Sequence, residues 1–230
     1  MELSPRLRMI AELVPKGACF ADIGTDHAYL PVWLILQGVI DRAVAADLRS
    51  GPLDRARETA EKYDVSQYMD FRLCDGLTGI KEEEADVIVI AGMGGETISH
   101  ILTEAPWTKS EEKMLILQPM SSQEDLRQWL TQNGYAIEKE CIAREDKTLY
   151  TIMVVKAGRE EEMTAAELLA GRQSSDPLRG DYLDLLISKL SRALDGQRSA
   201  AHRNDETIKR TSDLLESIKK MKEEWAIWQQ

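Results

Sequence analysis

The chain has 230 residues, 43% hydrophobic and 30% charged, with a formal net charge of −11 at pH 7. That length holds one α/β domain of roughly 150 residues plus a smaller module. No stretch approaches the ~20 uninterrupted apolar residues of a membrane span, and residues 1–6 lack the apolar core of a secretory signal, so no membrane association and a cytoplasmic location are expected. The charge is uneven: residues 159–230 carry twelve Lys and Arg against fourteen Asp and Glu, which places a net −9 on residues 1–158. The acidic bias therefore argues against non-specific polyanion binding by the first part while leaving room for a local basic face.

Alternating apolar bursts and amphipathic segments fill the first two-thirds. Strands are expected at about 18–23, 43–47, 69–73, 86–91, 113–118, 135–142 and 149–156, with helices over Pro5–Val14, Ala28–Gln37, Gly51–Tyr63, Glu96–Glu104 and Ser122–Asn133. Pro52 falls in a first helical turn, where its missing N–H costs nothing, and Gly134 supplies a left-handed stop. The continuous apolar runs 87–90 and 114–117 read as central strands covered on both faces. Only residues 144–147 separate the last two strands, too few for a crossover helix, so these form an antiparallel hairpin. Five helix-linked strands followed by a hairpin make a mostly parallel seven-stranded sheet with one antiparallel strand.

A domain boundary is expected near Gly158, giving units 1–158 and 159–230. Residues 160–162 open a polar connection, and from Arg179 onward no strand-like run appears. Leu183, Leu186, Ile187, Leu190 and Leu194 recur with helical period, as do Ile208, Leu215, Ile218, Met221 and Trp225. Two amphipathic helices folding back as a coiled-coil-like hairpin follow, their turn either at Asp195 and Gly196 or beyond 200–202. Such an arm either packs or dimerises, or grips a substrate; a monomer or weak dimer through these helices is expected. Cys19, Cys74 and Cys141 form no paired array and read as buried free thiols, with no metal expected.

The most informative stretch is 19–27, an apolar run through Asp22 to Gly24. It reads as a buried strand whose exit turn admits close approach of another molecule, since glycine lacks the Cβ that would block it. Asp47 ends the second apolar run 23 residues after Gly24, where a ribose-gripping carboxylate belongs. Asp75 and Gly76 follow the third strand, and 91–95 the fourth. The first turn carries one glycine in place of G-x-G-x-x-G, which disfavours a dinucleotide pyrophosphate and favours a nucleotide-like cofactor without one.

With 21–31, 45–47, 72–76 and 90–95 in hand, the chain resembles the bacterial tRNA (adenine-N1)-methyltransferases that act on adenosine 22 of the D-arm, over nearly its whole length. The resemblance implies a Rossmann-like class I methyltransferase domain, S-adenosylmethionine as methyl donor with S-adenosylhomocysteine as product, and tRNA as substrate. It implies cofactor contacts at Asp22, Gly24, Asp47, Leu48, Asp75, Gly76 and Gly92. Asp22 and Gly24 would line the amino-acid end, with the helix starting near Ala28 facing the carboxylate. Asp47 suits the ribose or else caps a helix; Leu48 lies on the nucleoside or in the core; Asp75 meets the adenine amino group or forms a turn.

For catalysis the candidates are Asp26, His27, Tyr29 and Met93. Attack by a ring nitrogen on a sulfonium methyl needs no prior base, because N1 already has a lone pair, and the absence of Asn/Asp-Pro-Pro-Tyr/Trp after the fourth strand fits ring-nitrogen chemistry. Asp26 and His27 are candidate acceptors for the proton released later, His27 otherwise being a helix-start hydrogen-bonder. Tyr29 either stacks on the base or packs on the first helix, Met93 lines the base pocket, and the glycines at 92, 94 and 95 argue for a flat ligand. RNA contact is expected from Arg6 and Arg8 and from Lys189, Arg192, Arg198, Arg203, Lys209 and Arg210, or these are ordinary solvated cations. Two other readings stay open: a methyltransferase for a small molecule or protein, and a non-catalytic S-adenosylmethionine-binding interaction protein.

Overall fold

The computed structural model describes residues 1–172, 175–200 and 202–228, and divides into two compact units, Met1–Glu161 and Glu162–Gln230. In the first, β1 (Phe20–Ile23), β2 (Ala43–Asp47), β3 (Met69–Leu73), β4 (Val87–Gly94), β5 (Met114–Ser121), β6 (Tyr135–Glu145) and β7 (Thr148–Ala157) form one sheet in the order β3-β2-β1-β4-β5-β7-β6. β1 to β5 pair in parallel, and β7 runs antiparallel to both β5 and β6. The hairpin turn is tighter than expected, only 146–147, and Asp146 takes φ +53° there.

Period-two alternation sorts the central strands between two layers of helices. Ala21, Ile23, Ile88, Ile90, Leu115 and Leu117 face α4 (Gly95–Thr103) and α5 (Gln123–Gln132), packing on Ile98, Leu102, Leu126 and Leu130. Phe20, Val87, Val89 and Ile116 face the opposite side, against Ile10 of α1 (Pro5–Leu13) and Leu30 and Leu34 of α2 (Tyr29–Leu36). α3 (Ser50–Lys62) covers Ala45 through Ala56 and Ala60. Asp22 stands in register with Val89, and Gln118 with Ala91, so both share the α1 face. A buried ion pair, Arg127 to Glu140 at 2.8 Å, ties α5 to β6.

Two expectations need correction here. The fourth strand does not end at 91: β4 continues to Gly94, pairing with Gln118, Pro119 and Ser121 of β5 through bulges at Ala91/Met93 and Met93/Gly94. Cys19 is exposed, since it precedes β1 at the sheet's amino edge; Cys74 is half-buried, Cys141 is buried, and all three are free.

The second unit holds α6 (Ala165–Ala170), α7 (Arg179–Ser199) and α8 (Asp205–Trp228). α6 lies inside the stretch read as a polar connection. Its signature is a capping box: Glu167 N–H donates to Thr164 Oγ1 at 3.2 Å, and Thr164 N–H to Glu167 Oε2 at 2.8 Å. Buried Arg179 caps its other end, donating to the carbonyls of Ala170 and Gly171. α7 runs through Asp195 and Gly196 without breaking, so the turn falls after Ser199; Ala201 lies outside the described residues. Lys222 pairs with Asp184, and a Cβ on Gly180 would stand 2.6 Å from the Trp225 ring, so α7 and α8 are antiparallel. No helix among the described residues is long and apolar enough to cross a membrane.

Candidate active site

Parallel pairing brings the carboxyl ends of β1, β2, β4 and β5 to one edge, and there a cavity of about 360 Å³ opens. It is lined by Asp22, Gly24, Asp26, His27, Tyr29 and Gly92 among the residues expected, and by Arg6, Leu7, Thr25, Leu30, Ala91 and Met120 besides. Asp47, Leu48 and Asp75 continue along the same edge without lining it. A cavity of about 320 Å³ opens among the amino-end residues Cys19, Phe20, Asp41, Arg42 and Asp70, where Arg42 approaches Asp70 to 3.8 Å.

Asp22 dominates the electrostatics. Its carboxylate is 7% exposed and accepts the Thr25 hydroxyl at 2.6 Å, and among the described residues no cation pairs with it. Burial pushes its pKa up to about 6, against the lowering effect of the Thr25 bond, with the Asp47 charge raising it further. A buried carboxylate so placed is costly in the free protein and complementary to a cationic ligand.

The turn after β1 is conformationally demanding. Gly24, Asp26 and Ala28 take φ +75°, +45° and +53°, two of them non-glycine residues in the left-handed region, which costs about 1–2 kcal/mol each. Several contacts hold it: Gly24 and Thr25 N–H donate to Ala46 O at 2.8 and 3.0 Å, Asp26 pairs with Arg55 of α3, and the His27 and Tyr29 rings stack at 5.1 Å and 3°. Asp26 in turn keeps the Arg55 pKa raised. Tyr29, 44% exposed, thus presents a ring braced by His27 instead of being buried on α1.

The glycines separate by role. A Cβ on Gly24 would lie 2.2 Å from the Met93 terminal methyl, one on Gly76 2.8 Å from Ile101, and one on Gly95 2.3 Å from the Ser122 carbonyl oxygen. Gly94 would meet Ser121 Oγ at 3.1 Å. At Gly76, Gly94 and Gly95, which do not line the cavity, the missing Cβ serves packing, which corrects the reading of 94 and 95 as ligand approaches; Gly24 both packs on Met93 and lines the cavity. Gly92 alone of the β4 glycines lines the cavity, at φ +79° with nothing nearer its missing Cβ than Arg6 Nη1 at 3.9 Å. Met93 is displaced from the expected lining, its methyl covering Gly24, and Met120 takes a lining position.

Along the edge, Asp47 is buried and Oδ1 accepts Arg49 N–H at 2.9 Å; the N-cap position of α3 falls on Arg49, which makes no side-chain capping bond, so Asp47 is not its N-cap. Leu48 is 64% exposed, which removes the core reading. Asp75 is exposed, with its carbonyl accepting from Thr78 in a turn and its carboxylate unbonded among the described residues.

Sequence reasoning missed Gln118 at this site. It is fully buried, accepts from Arg6 Nη1 at 2.7 Å and from Gly92 N–H at 3.2 Å, and donates to the Pro119 carbonyl at 3.0 Å. Its signal was present: the polar residue that closes the apolar run 114–117 at the sheet's carboxyl edge. Arg8, expected at RNA, pairs with Glu12 at 3.2 Å and lies over the Trp33 ring at 4.8 Å.

Residues 3–153 match the family described as a methyltransferase domain. The tRNA (adenine(22)-N(1))-methyltransferase of Bacillus subtilis (strain 168) is 34% identical to the chain, the alignment covering 96% of this chain and 97% of that protein. The chain belongs to this methyltransferase family. Among solved structures, that of the B. subtilis m1A22 tRNA methyltransferase TrmK matches with a TM-score of 0.84 at 32% identity, covering 96% of this chain and 99% of that one. M. capricolum TrmK in complex with S-adenosylhomocysteine matches with a TM-score of 0.81 at 27% identity, covering 97% and 99%.

Within a methyltransferase fold of this family, the residues present fit a sulfonium nucleoside. The buried Asp22 carboxylate, without a paired cation among the described residues, is complementary to an ammonium, a second carboxylate, Asp47, ends the neighbouring strand at the same edge, and an open, left-handed glycine borders the cavity. No cluster of His, Cys, Asp and Glu suited to a metal occurs among the described residues.

Proposed function

We infer that the chain methylates N1 of adenine 22 in the D-arm of tRNA, with S-adenosylmethionine as donor. The observation that carries this is Asp22, buried at the carboxyl edge of β1 with no cation paired to it among the described residues, in a chain matching a tRNA (adenine(22)-N(1))-methyltransferase along its length. The bound donor supplies an electrophilic methyl on sulfur; the adenine N1 lone pair forms the new C–N bond as the C–S bond breaks.

The residues divide the work. Asp22 holds the ammonium, Asp47 accepts from the ribose hydroxyls with the oxygen not taken by Arg49, and Asp75 accepts from the cofactor's adenine amino group. Leu48 offers apolar surface to the nucleoside, and the Gly24, Gly76 and Gly92 backbones border it. The braced Tyr29 ring, with Leu7 and Met120 at the rim, is a stacking face for the extruded target base, an interaction worth about 1–3 kcal/mol. Methylation leaves that ring cationic, and Asp26 and His27 provide acceptors beside it for the N6 proton. Met93 acts by covering Gly24. Most of the acceleration comes from holding N1 and the methyl in line in a dry site, worth up to about 7–11 kcal/mol.

The helical unit is proposed as the tRNA-gripping part, through Lys189, Arg192, Arg198, Arg203 and Lys209; Arg210 is already paired with Glu206 at 2.7 Å. The protein acts as a monomer or a weak dimer through these helices. Incubation with unmodified tRNA and methyl-labelled S-adenosylmethionine tests the whole reading: label should appear as N1-methyladenosine at position 22. Label in another base, in protein or nowhere overturns it.

A further inference from the structure

The cofactor's tail is a zwitterion, and Asp22 answers only its positive end. The expected partner for its carboxylate, the amino end of α2, is a weak one. Its first helical residues are Tyr29, Leu30 and Pro31, and proline has no N–H, so one of the free donors of a normal first turn is missing.

A better partner stands on the same face of the sheet. Arg6 of α1 lines the cavity with Asp22, Gly24 and Thr25. One end of its guanidinium is fixed by the buried Gln118 oxygen at 2.7 Å, and that same oxygen fixes the Gly92 amide at 3.2 Å. Gln118 is itself held by its Nε2 donation to Pro119 O at 3.0 Å and by a 3.6 Å contact to the Met120 sulfur. Arg6 also faces Glu145, at 4.0 Å from Nε, and the Tyr150 ring at 5.6 Å. The Glu145 contact is too long for a hydrogen bond, and Glu145 Oε2 is buried without one. Among the described residues Arg6 thus keeps donors free of hydrogen bonds, aimed by a neutral amide, with the Glu145 carboxylate at 4.0 Å as a neighbouring counter-charge.

We propose that Arg6 receives the carboxylate of the cofactor's amino-acid tail and that Gln118 is the positioning residue that aims it. Asp22 and Arg6 then form a charge pair split by the ligand: each cavity charge meets the opposite end of one zwitterion, and the tail enters in a single orientation. Gln118 couples this to the cavity wall that borders the nucleoside, because the amide it holds belongs to Gly92. A guanidinium–carboxylate fork also explains why an arginine serves on an acidic domain where polyanion contact is disfavoured.

The proposal rests on S-adenosylmethionine being the donor, and calorimetry with three ligands separates the two. S-adenosylhomocysteine carries both tail charges, decarboxylated S-adenosylmethionine keeps the ammonium only, and 5′-methylthioadenosine has neither. Wild-type saturation with S-adenosylhomocysteine tests the donor itself. Arg6→Gln should then weaken S-adenosylhomocysteine about 10- to 100-fold, the effect of one charge-assisted bond, while the two ligands without a carboxylate bind as before. Arg6→Lys should recover part of the loss, and Gln118→Met should give a smaller loss confined to the same ligand. Undiminished S-adenosylhomocysteine binding by Arg6→Gln, or equal weakening of all three ligands with no recovery in Arg6→Lys, overturns the proposal. So does normal cofactor binding with a reduced salt dependence of the KM for tRNA, which assigns Arg6 to an RNA phosphate.

Discussion

Two glycine-bearing strand exits border the cavity, and they use glycine differently. After β1, Gly24 adopts a left-handed conformation and gives its missing Cβ to the Met93 methyl, while the residues beyond it are pinned by an ion pair and stacked rings. After the apolar part of β4, Gly94 and Gly95 let the strand run tightly against Ser121 and the start of α5, and only Gly92 borders the cavity. The same residue type therefore serves backbone shape, packing and ligand access within a few residues. The first exit concentrates strain and charge, and the second builds a rigid wall behind them.

Substitution can break this contrast, most strongly at Gly95. Gly95→Ala places a methyl 2.3 Å from a backbone oxygen that cannot swing aside, so chemical denaturation should show a loss of about 3 kcal/mol or more. Asp22→Asn should act in opposite directions on fold and function. The ionised Asp22 is penalised above its folded pKa of about 6, whereas its ordinary value is 3.8, so the wild-type penalty is absent below pH 4 and complete above pH 6. The variant should match wild type in stability near pH 4 and exceed it by up to about 3 kcal/mol at pH 8, while S-adenosylhomocysteine affinity falls at least tenfold. Equal stabilities at pH 8 would remove the claim that this carboxylate is held at a cost. In the wild type, cofactor affinity should decline as pH falls through 6.

Tyr29→Ala sharpens the comparison from the substrate side. It should lower kcat/KM for tRNA about tenfold or more, the size of one stacking contact, with S-adenosylhomocysteine titrations unchanged. A matching loss of cofactor affinity would move Tyr29 into the cofactor pocket. Smallest in stability is Gly92→Ala, where no neighbour obstructs the methyl: about 1–2 kcal/mol of left-handed backbone cost, read by denaturation. A loss as large as that of Gly95→Ala would mean that the two glycines do the same job.

Much of the first unit was legible because its signals are local. The runs 87–90 and 114–117 could only be central strands, and the short gap at 144–147 forced the hairpin that reverses β7. Asp22, Gly24 and Asp47 were legible because a parallel sheet puts strand ends at one edge. The misses share a physical cause. β4 ran on to Gly94 because β5 supplied partners for its bulged backbone, which no local pattern announces. α6 was overlooked although Thr164 and Glu167 spell a capping box, because its six residues are too few to show a hydrophobic period.

By itself the chain of residues determined the sheet, the reversed strand, the paired helices and the acidic strand ends, since periodicity, turn chemistry and spacing act over a few residues at a time. Tertiary structure alone decided which charges keep company. Asp26 is tied to Arg55, Asp22 is left without a cation among the described residues, and Arg6 is clamped by an amide 112 positions away, because side-chain pairing depends on which strands become neighbours and which face each residue turns inward.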